Sequence, residues 1–361
     1  MKSKGERTFG LVRGAAAILV AIGVAAILIF ITSDQPLEAL RYLLLSPLSS
    51  QRQIFGIFER MIPFLFTGLA ACVMFSANQF NLAAEGCVLL GAMVGGVIGI
   101  YAEMPSVLHV VVCILAGAIA CGIVMLLPAL LNTWLGADVM VSSLMLNYII
   151  QFVCQYFLTN FLADRQQGAT MSYPFKTTAL IPKIKFETSW GIVIGFVMVV
   201  IITLFIYRTR WGYAIRMVGI NKQFSKYSGI KVAGVLVLCQ VIGGMLSGMG
   251  GAVEMLGYYD RIKWRMLPGY GWNGVTISIL AKNNPAMVPL AAFFLAYLNK
   301  GCLQMAIYTD VPSEMLEVIQ AVMFLFFAAE QFLSKYRQKV VVKNTLGELA
   351  SAPITSKGEN A

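Results

Sequence analysis

The sequence has few of the residues on which water-soluble enzymes depend. Only 12% of its 361 residues are charged and His109 is the single histidine, whereas 58% of the residues are hydrophobic. A water-soluble domain with this composition would lack the polar side chains that cover a protein surface. One histidine also leaves almost no material for metal clusters or histidine-based catalytic triads. The composition therefore indicates a fold whose solvent is lipid.

Cysteine and glycine lack the spacings that mark redox and nucleotide sites. The seven cysteines stand singly in apolar stretches without a C-x-x-C pair, which favours a packing role. No Gly-Lys dipeptide occurs, so the chain has no phosphate-binding loop of the G-x-x-x-x-G-K-S/T type. Any ATP that drives this protein must bind to another chain.

Apolar runs follow one another along the chain with short polar breaks between them. They lie at residues 14–31, 55–76, 82–101, 106–127, 139–162, 189–207, 232–257, 270–281, 286–306 and 314–333. Most have the length that a helix needs to cross a bilayer. We therefore predict an all-α polytopic membrane protein with about ten transmembrane segments in one domain, residues 14–333. Residues 1–13 and 334–361 are expected to be cytoplasmic, the latter disordered.

The net charge of +10 reflects topology rather than nucleic-acid binding, because the basic residues gather at the ends of the apolar runs. The positive-inside rule places residues 208–231 and both termini in the cytoplasm, as expected for a bacterial inner-membrane protein. Arg261, Lys263 and Arg265 are the exception, since the same threading leaves them outside among tyrosines and tryptophans. That stretch is typical of an interfacial belt in contact with membrane lipid.

Two of the runs begin with uncharged polar residues and contain several glycines. They open at Asn81 and Gly269 and are the third and eighth of the ten predicted segments. We interpret both as short, discontinuous helices, which suits a five-plus-five repeat. Irregular backbone at membrane depth must face protein or water, and paired breaks of this kind mark transport sites.

Ionisable residues inside predicted spans are costly and are candidates for function. Glu59 and Arg60 are expected at a membrane interface, and Glu254 and Glu317 near helix ends. Glu85 falls inside the break at residues 80–86, where a carboxylate can accept backbone N–H bonds at a helix start and complement its dipole. Contact with a transported solute is the alternative role for Glu85.

Three stretches resemble one family of permeases, which serves importers of branched-chain amino acids, ribose-type sugars and nucleosides. FNLAAEG at residues 80–86 is similar to its FNIGxEGQ segment, and GYGWNGVTISILAKNNP at residues 269–285 to its second polar break. TRWGYAIRMVGINKQFSKYSGI at residues 209–230 resembles its cytoplasmic coupling segment. The matching positions there are Thr209, Gly212, Arg216, Gly219, Asn221, Gly229 and Ile230.

The resemblance implies a transport subunit without enzymatic activity or a cofactor of its own. ATP and Mg²⁺ would bind to partner ATPase subunits, which would grip a coupling loop at residues 208–231. A second permease subunit, identical or related, and an extracellular solute-binding lipoprotein would complete the assembly. The lipoprotein would dock on the stretch from Tyr258 to Trp272. Taken from its residues alone, the loop at 208–231 suits an amphipathic docking helix and a lipid-headgroup contact equally well.

A solute path is expected where the two breaks meet. Its candidate residues are Asn78, Asn81, Glu85, Asn147, Gly271, Asn273 and Gly274. Uncharged polar groups suit a neutral, hydroxyl-rich solute, so a nucleoside or simple sugar is favoured over branched-chain amino acids. A secondary transporter with Glu85 or Glu254 as its ion site is the rival from another class. The sequence offers no acid–base pair or nucleophile that would support a membrane-embedded enzyme.

Overall fold

The computed structural model describes residues 33–164 and 171–312, with isolated positions between 23 and 30 and between 314 and 322. Leu37–Ser313 form one compact unit. Met1–Pro36 and Glu314–Ala361 form the other, in which only residues 33–36 and isolated positions are described. Most of the predicted first and tenth segments, and both predicted tails, therefore lie outside the described residues.

Helices make up most of the larger unit. They are α1 (Pro36–Leu44), α2 (Gln51–Ser76), α3 (Ala84–Tyr101), α4 (Ser106–Leu135), α5 (Val139–Phe157), α6 (Gly191–Arg208), α7 (Arg210–Ile220), α8 (Lys222–Tyr227), α9 (Val232–Tyr258), α10 (Tyr270–Leu280) and α11 (Val288–Tyr308). A π-helical turn, Leu158–Leu162, extends α5, and 3₁₀ turns at Ser46–Leu48 and Pro285–Met287 precede α2 and α11. The strands β1 (Lys183–Lys185) and β2 (Thr188–Ser189) pair as an antiparallel hairpin.

Within the described residues, seven helices are long and apolar enough to cross a membrane. They are α2, α3, α4, α5 with its π-helical turn, α6, α9, and α11 with its preceding turn. This confirms the prediction of an all-α, multi-pass membrane protein. The helix α10 has 11 residues and spans only about 16 Å, roughly half of a 30 Å hydrocarbon core. It is the short, interrupted segment that the sequence predicted at residue 270.

The prediction of a short, broken helix is wrong for α3, which runs through 18 residues without interruption. The irregular backbone lies before it, at residues 77–83. The glycines of α3 lie within the uninterrupted helix, and their role is close packing. A Cβ atom on Gly91 would overlap the backbone of Gly248 in α9, and one on Gly95 would lie 3.0 Å from Ala252. Small residues that let two helix backbones touch are common in membrane proteins.

The core of the unit lies around α2 and α9. The helix α9 packs chiefly on α4, α3 and α2, and α2 packs on α9, α10 and α11. By contrast, α4, α5 and α6 expose apolar faces with large side chains such as Ile119, Phe152 and Val200. These outward faces are suited to lipid.

The two ends of the helix bundle differ. The β-hairpin lies at the end that carries Gln51 and Tyr258, since Lys185 contacts Gln51 and a Cβ atom on Gly257 would meet Ser189. We call this the hairpin end. The opposite end carries α7 and α8, which follow α6 directly, and we call it the α7 end.

Candidate functional site

The irregular segment at residues 77–83 lies at the α7 end, between α2 and α3, and is largely buried. Its backbone groups bind to side chains of α5. The N–H of Leu82 donates to Ser143 Oγ at 3.0 Å, and Asn147 Nδ2 donates to the carbonyl of Leu82 at 2.9 Å. The N–H of Gly86, in the first turn of α3, donates to Asn147 Oδ1 at 2.8 Å. Lipid could not satisfy these peptide groups, so α5 supplies their partners.

Asn81 links the same segment to α9. Its Nδ2 donates to Gln240 Oε1 at 2.9 Å, and its Oδ1 accepts from the N–H of Ala83 at 2.8 Å. Gln240 in turn donates to Gln79 at 3.4 Å, and all three polar side chains are buried. The carboxamides of Asn81 and Asn147 are thus engaged within the chain. Asn78 is different, because it is exposed and adopts a φ of 53°.

Glu85 joins the two polar breaks that the sequence singled out. It lies in the first turn of α3, fully buried, rather than inside the irregular segment. Its Oε1 accepts from the N–H of Gly269 at 2.5 Å, and its Oε2 from those of Gly271 at 2.5 Å and Trp272 at 3.4 Å. The carboxylate therefore caps the start of α10, where free N–H groups and the helix dipole favour negative charge. The helix that it caps is 184 residues further along the chain.

The first turn of α10 fits tightly between α3 and α2. A Cβ atom on Gly271 would overlap the backbone of Glu85, and one on Gly274 would lie 2.6 Å from the carbonyl carbon of Thr67. Asn273 Nδ2 donates to the carbonyl of Gly269 at 2.9 Å. The predicted residues Glu85, Gly271, Asn273 and Gly274 are therefore brought together, and they hold α10 in place.

A second polar cluster lies nearer the hairpin end. The N–H of Ser189 donates to Glu59 Oε2 at 3.0 Å, and the Tyr270 hydroxyl donates to Glu254 Oε1 at 3.3 Å. Glu59 and Glu254 are each only 3% exposed. Glu59 lies more than two turns inside α2 and is buried within the protein. Sequence reasoning missed Ser189 and Tyr270, since neither carries a charge and only the neighbouring aromatic stretch drew attention to this region.

The predicted coupling loop, residues 208–231, is built as two consecutive helices instead of one. Thr209 caps α7, because its Oγ1 accepts from the N–H of Gly212 at 3.0 Å. Asn221 ends α7 and caps α8 by accepting from the N–H of Phe224 at 3.0 Å. Gly229 leaves α8 with a φ of 81°, which favours glycine. Three of the predicted positions thus set the ends of the two helices.

The helix α7 lies directly against the end of α2. A Cβ atom on Gly219 would overlap the carbonyl oxygen of Ser76, and one on Gly212 would overlap that of Phe205. The Arg216 guanidinium lies 5.2 Å from the centre of the Tyr207 ring. Large side chains of α7 and α8 point away from the bundle and are more than half exposed: Trp211, Tyr213, Ile220, Phe224 and Tyr227.

Comparisons with known proteins agree with the family resemblance that the three sequence stretches carry. The chain is 26% identical to a glucose ABC transporter permease protein of Haloferax volcanii, covering 89% of this chain and 87% of that protein. It is 27% identical to a guanosine ABC transporter permease protein of Bacillus subtilis, covering 75% and 79%. It is 25% identical to a nucleoside ABC transporter permease protein of Lactococcus lactis, covering 96% of both.

A family model described as "Branched-chain amino acid transport system / permease component" matches residues 53–328. The match contains all three stretches that carried the resemblance, the capped start of α10 and the α7–α8 segment. Members of this family are transport components rather than enzymes. This multi-pass chain belongs to that family of permease components.

Proposed function

We propose that this chain is the transmembrane subunit of an ATP-driven importer that moves a nucleoside or a simple sugar by alternating access. Relatives named as glucose, guanosine and nucleoside permeases support that solute class. The membrane would be the bacterial cytoplasmic membrane. The hairpin end would face outward, and both termini and the α7 end would face the cytoplasm. ATP and Mg²⁺ would bind to separate ATPase subunits.

One observation carries the mechanism: a continuous set of contacts leads from α7 to the half-length helix α10. Gly219 touches the end of α2 at Ser76, and the irregular segment follows at once. Its buried backbone leads into the first turn of α3, where Glu85 holds the start of α10. A displacement of α7 would therefore act on α2, the irregular segment and α10 together. Contacts between packed, rigid elements are how such motions pass through proteins.

The packing of α2 and α9 supports the full topology of ten segments in a five-plus-five repeat. In that numbering α2 is the second segment of the first half and α9 the second of the second half. The helix α2 packs on α10 and α11, the third and fourth segments of the other half, and α9 packs on α3 and α4. This reciprocal exchange is what a pseudo-twofold axis between two repeats would produce.

The partners would bind at the two ends of the bundle. At the α7 end, Ile220, Phe224 and Tyr227 form an exposed apolar surface next to Lys222 and Lys226, which suits an ATPase groove. At the hairpin end, Lys263 and Arg265 are exposed and suit an acidic solute-binding lipoprotein. A second permease subunit would cover one of the outward apolar faces.

The solute path would pass the polar breaks. Asn81 and Asn147 would shape it by holding the backbone, while Asn78 and Asn273, exposed and half-buried respectively, would contact the solute. Glu85, Gly271 and Gly274 would keep the start of α10 in position beside it. A neutral, hydroxyl-rich solute needs no net charge along this path.

The test is to express this chain with its neighbouring genes, purify through a tag on this chain, and reconstitute the complex in liposomes. We expect an ATPase subunit to copurify, and uptake of radiolabelled guanosine or glucose to require ATP. A non-hydrolysable ATP analogue is the matched control and should give no uptake. Uptake by this chain alone on a proton or sodium gradient would contradict the proposal and favour the secondary transporter.

A further inference from the structure

A line of aromatic rings leads from the surface of the hairpin end into the protein. The ring centres of Tyr258 and Tyr259 are 4.9 Å apart, and Trp264 follows at 5.7 Å from Tyr259. Tyr270 lies 5.7 Å from Trp264, and Phe64 lies 5.9 Å from Tyr270. Tyr258 is 40% exposed, Tyr270 is 6% exposed and Phe64 is fully buried. We call these five rings the aromatic path.

The aromatic path is more than an interfacial belt. Belt tyrosines and tryptophans lie at the headgroup level, with one end in water. Tyr270 and Phe64 have almost no exposed surface and stand on α10 and α2 in the interior. Each ring contacts the next, so the path connects the surface to the buried start of α10.

Two buried carboxylates lie at the inner end of the aromatic path. Tyr270 donates its hydroxyl hydrogen to Glu254 Oε1, and Ser189 donates its N–H to Glu59 Oε2. The remaining oxygens, Glu254 Oε2, Glu59 Oε1 and Ser189 Oγ, are buried and have no hydrogen-bond partner within the described part of the chain. Arg60, next to Glu59, is close enough to Glu254 for their charges to interact. We call Glu59, Arg60, Ser189, Glu254 and Tyr270 the carboxylate site.

The carboxylate site contains buried carboxyl oxygens that accept no hydrogen bond from the described residues. A buried acceptor without a hydrogen bond is costly, and an ionised one more so. The charge of Arg60 acts on both carboxyl groups and that of Lys183 acts on Glu59, but neither cation fills the free carboxyl oxygens with a hydrogen bond. The free oxygens therefore call for a ligand that brings several hydrogen-bond donors.

We propose that the aromatic path and the carboxylate site together bind a hydroxyl-rich ring compound, a nucleoside or a simple sugar, on its way to α10. Aromatic faces stack on a nucleobase or on the apolar face of a sugar ring. The hydroxyl groups of the solute donate to the free oxygens of Glu59 and Glu254. Tyr270, the first residue of α10, couples the occupied site to the helix that Glu85 caps. The inference rests on the proposed function for its solute class.

The experiment measures equilibrium binding to the full chain in lipid nanodiscs, without ATPase or ATP. The probes are tritiated guanosine and radiolabelled glucose. Glu254→Gln replaces one acceptor oxygen by an NH₂ group but keeps the shape, and we expect it to weaken binding by roughly tenfold or more. Tyr270→Phe should weaken binding less, because it alters only the partner of Glu254. The matched control is Glu103→Gln, an exposed glutamate paired with Lys176 at the same end, which should change binding by less than about twofold.

Unchanged binding in Glu254→Gln, or binding of neither probe to the unaltered chain, would overturn the inference. If Glu254→Gln fails to fold, Trp264→Leu decides, because it removes a ring from the aromatic path without touching a carboxylate. Its binding should also fall by roughly tenfold. Solute binding without ATP-driven uptake by the reconstituted complex would support the site and contradict the proposed function. ATP-driven uptake by the reconstituted complex, together with normal binding in Glu254→Gln and Trp264→Leu, would support the proposed function and contradict the site.

Discussion

Glu85 carries the most consequential prediction, because three N–H groups of α10 depend on one side chain. In Glu85→Gln the side chain keeps its shape but only one carbonyl oxygen. Since Oε1 accepts from Gly269 and Oε2 from Gly271 and Trp272, the new NH₂ group must face at least one N–H donor. That donor is then buried without an acceptor. The charge that complements the dipole of α10 is lost as well.

The expected magnitude follows from these contacts. A hydrogen bond to a charged group contributes about 1.5–3 kcal/mol, and a buried, unpaired N–H costs about 1–3 kcal/mol. We therefore expect Glu85→Gln to weaken the docking of the first turn of α10 by about 2–4 kcal/mol. A change of 2 kcal/mol corresponds to a roughly 30-fold higher population of the opened turn.

Hydrogen–deuterium exchange read by mass spectrometry measures that population directly. Peptides covering residues 269–274 should exchange at least roughly 30-fold faster in Glu85→Gln than in the unaltered chain. Peptides from the middle of α6, which packs chiefly on α2 and α7, should exchange at the original rate. Equal exchange at residues 269–274 in both proteins would refute the reasoning, because the carboxylate would then contribute nothing to holding α10.

Three further predictions concern α7 and the irregular segment. Gly219→Ile should leave membrane insertion intact, but ATP hydrolysis in the reconstituted complex should no longer drive uptake, because the new side chain would overlap Ser76. Gly234→Ile is the control and should transport normally, because a Cβ atom on Gly234 has no neighbour within 4 Å. Asn147→Ala should lower the free energy of unfolding by about 2–4 kcal/mol, seen as a lower melting temperature in detergent, because it leaves two buried backbone groups unpaired. Thr209→Ala should speed amide exchange at the start of α7 about fivefold by removing a cap worth about 1 kcal/mol, whereas Thr209→Ser should not.

The membrane-spanning helices could be predicted from the sequence because length and hydropathy suffice to define them. The start of α10 at Tyr270 was predicted to within a residue, since glycine and uncharged polar residues open it. The error at α3 came from extending the break to Gly86, whereas the helix begins at Ala84 and continues to Tyr101. The four-residue spacing of Gly91 and Gly95 is typical of close helix packing, but no local pattern identifies α9 as the helix that they contact.

The site was predictable in its members but not in its pairings. Glu85 stood out as a carboxylate near a helix start, yet the helix that it caps is distant in sequence. Asn147 was noticed only as a polar residue in an apolar run, and its bonds to Leu82 and Gly86 depend on how α5 packs. Ser189 carried no signal, because its role lies in a backbone N–H that every residue but proline has.

The two bonds of Asn147 restrict how the protein can move. If α5 slid away from the start of α3, the peptide groups of Leu82 and Gly86 would lose the partners that Asn147 supplies. The segment from Ala77 to Gly86 and the facing part of α5 must therefore travel as one rigid body during transport. Bending is left to the short joints at the ends of α5. One is at Gly136, with its left-handed backbone, and the other is the π-helical turn at Leu158–Leu162.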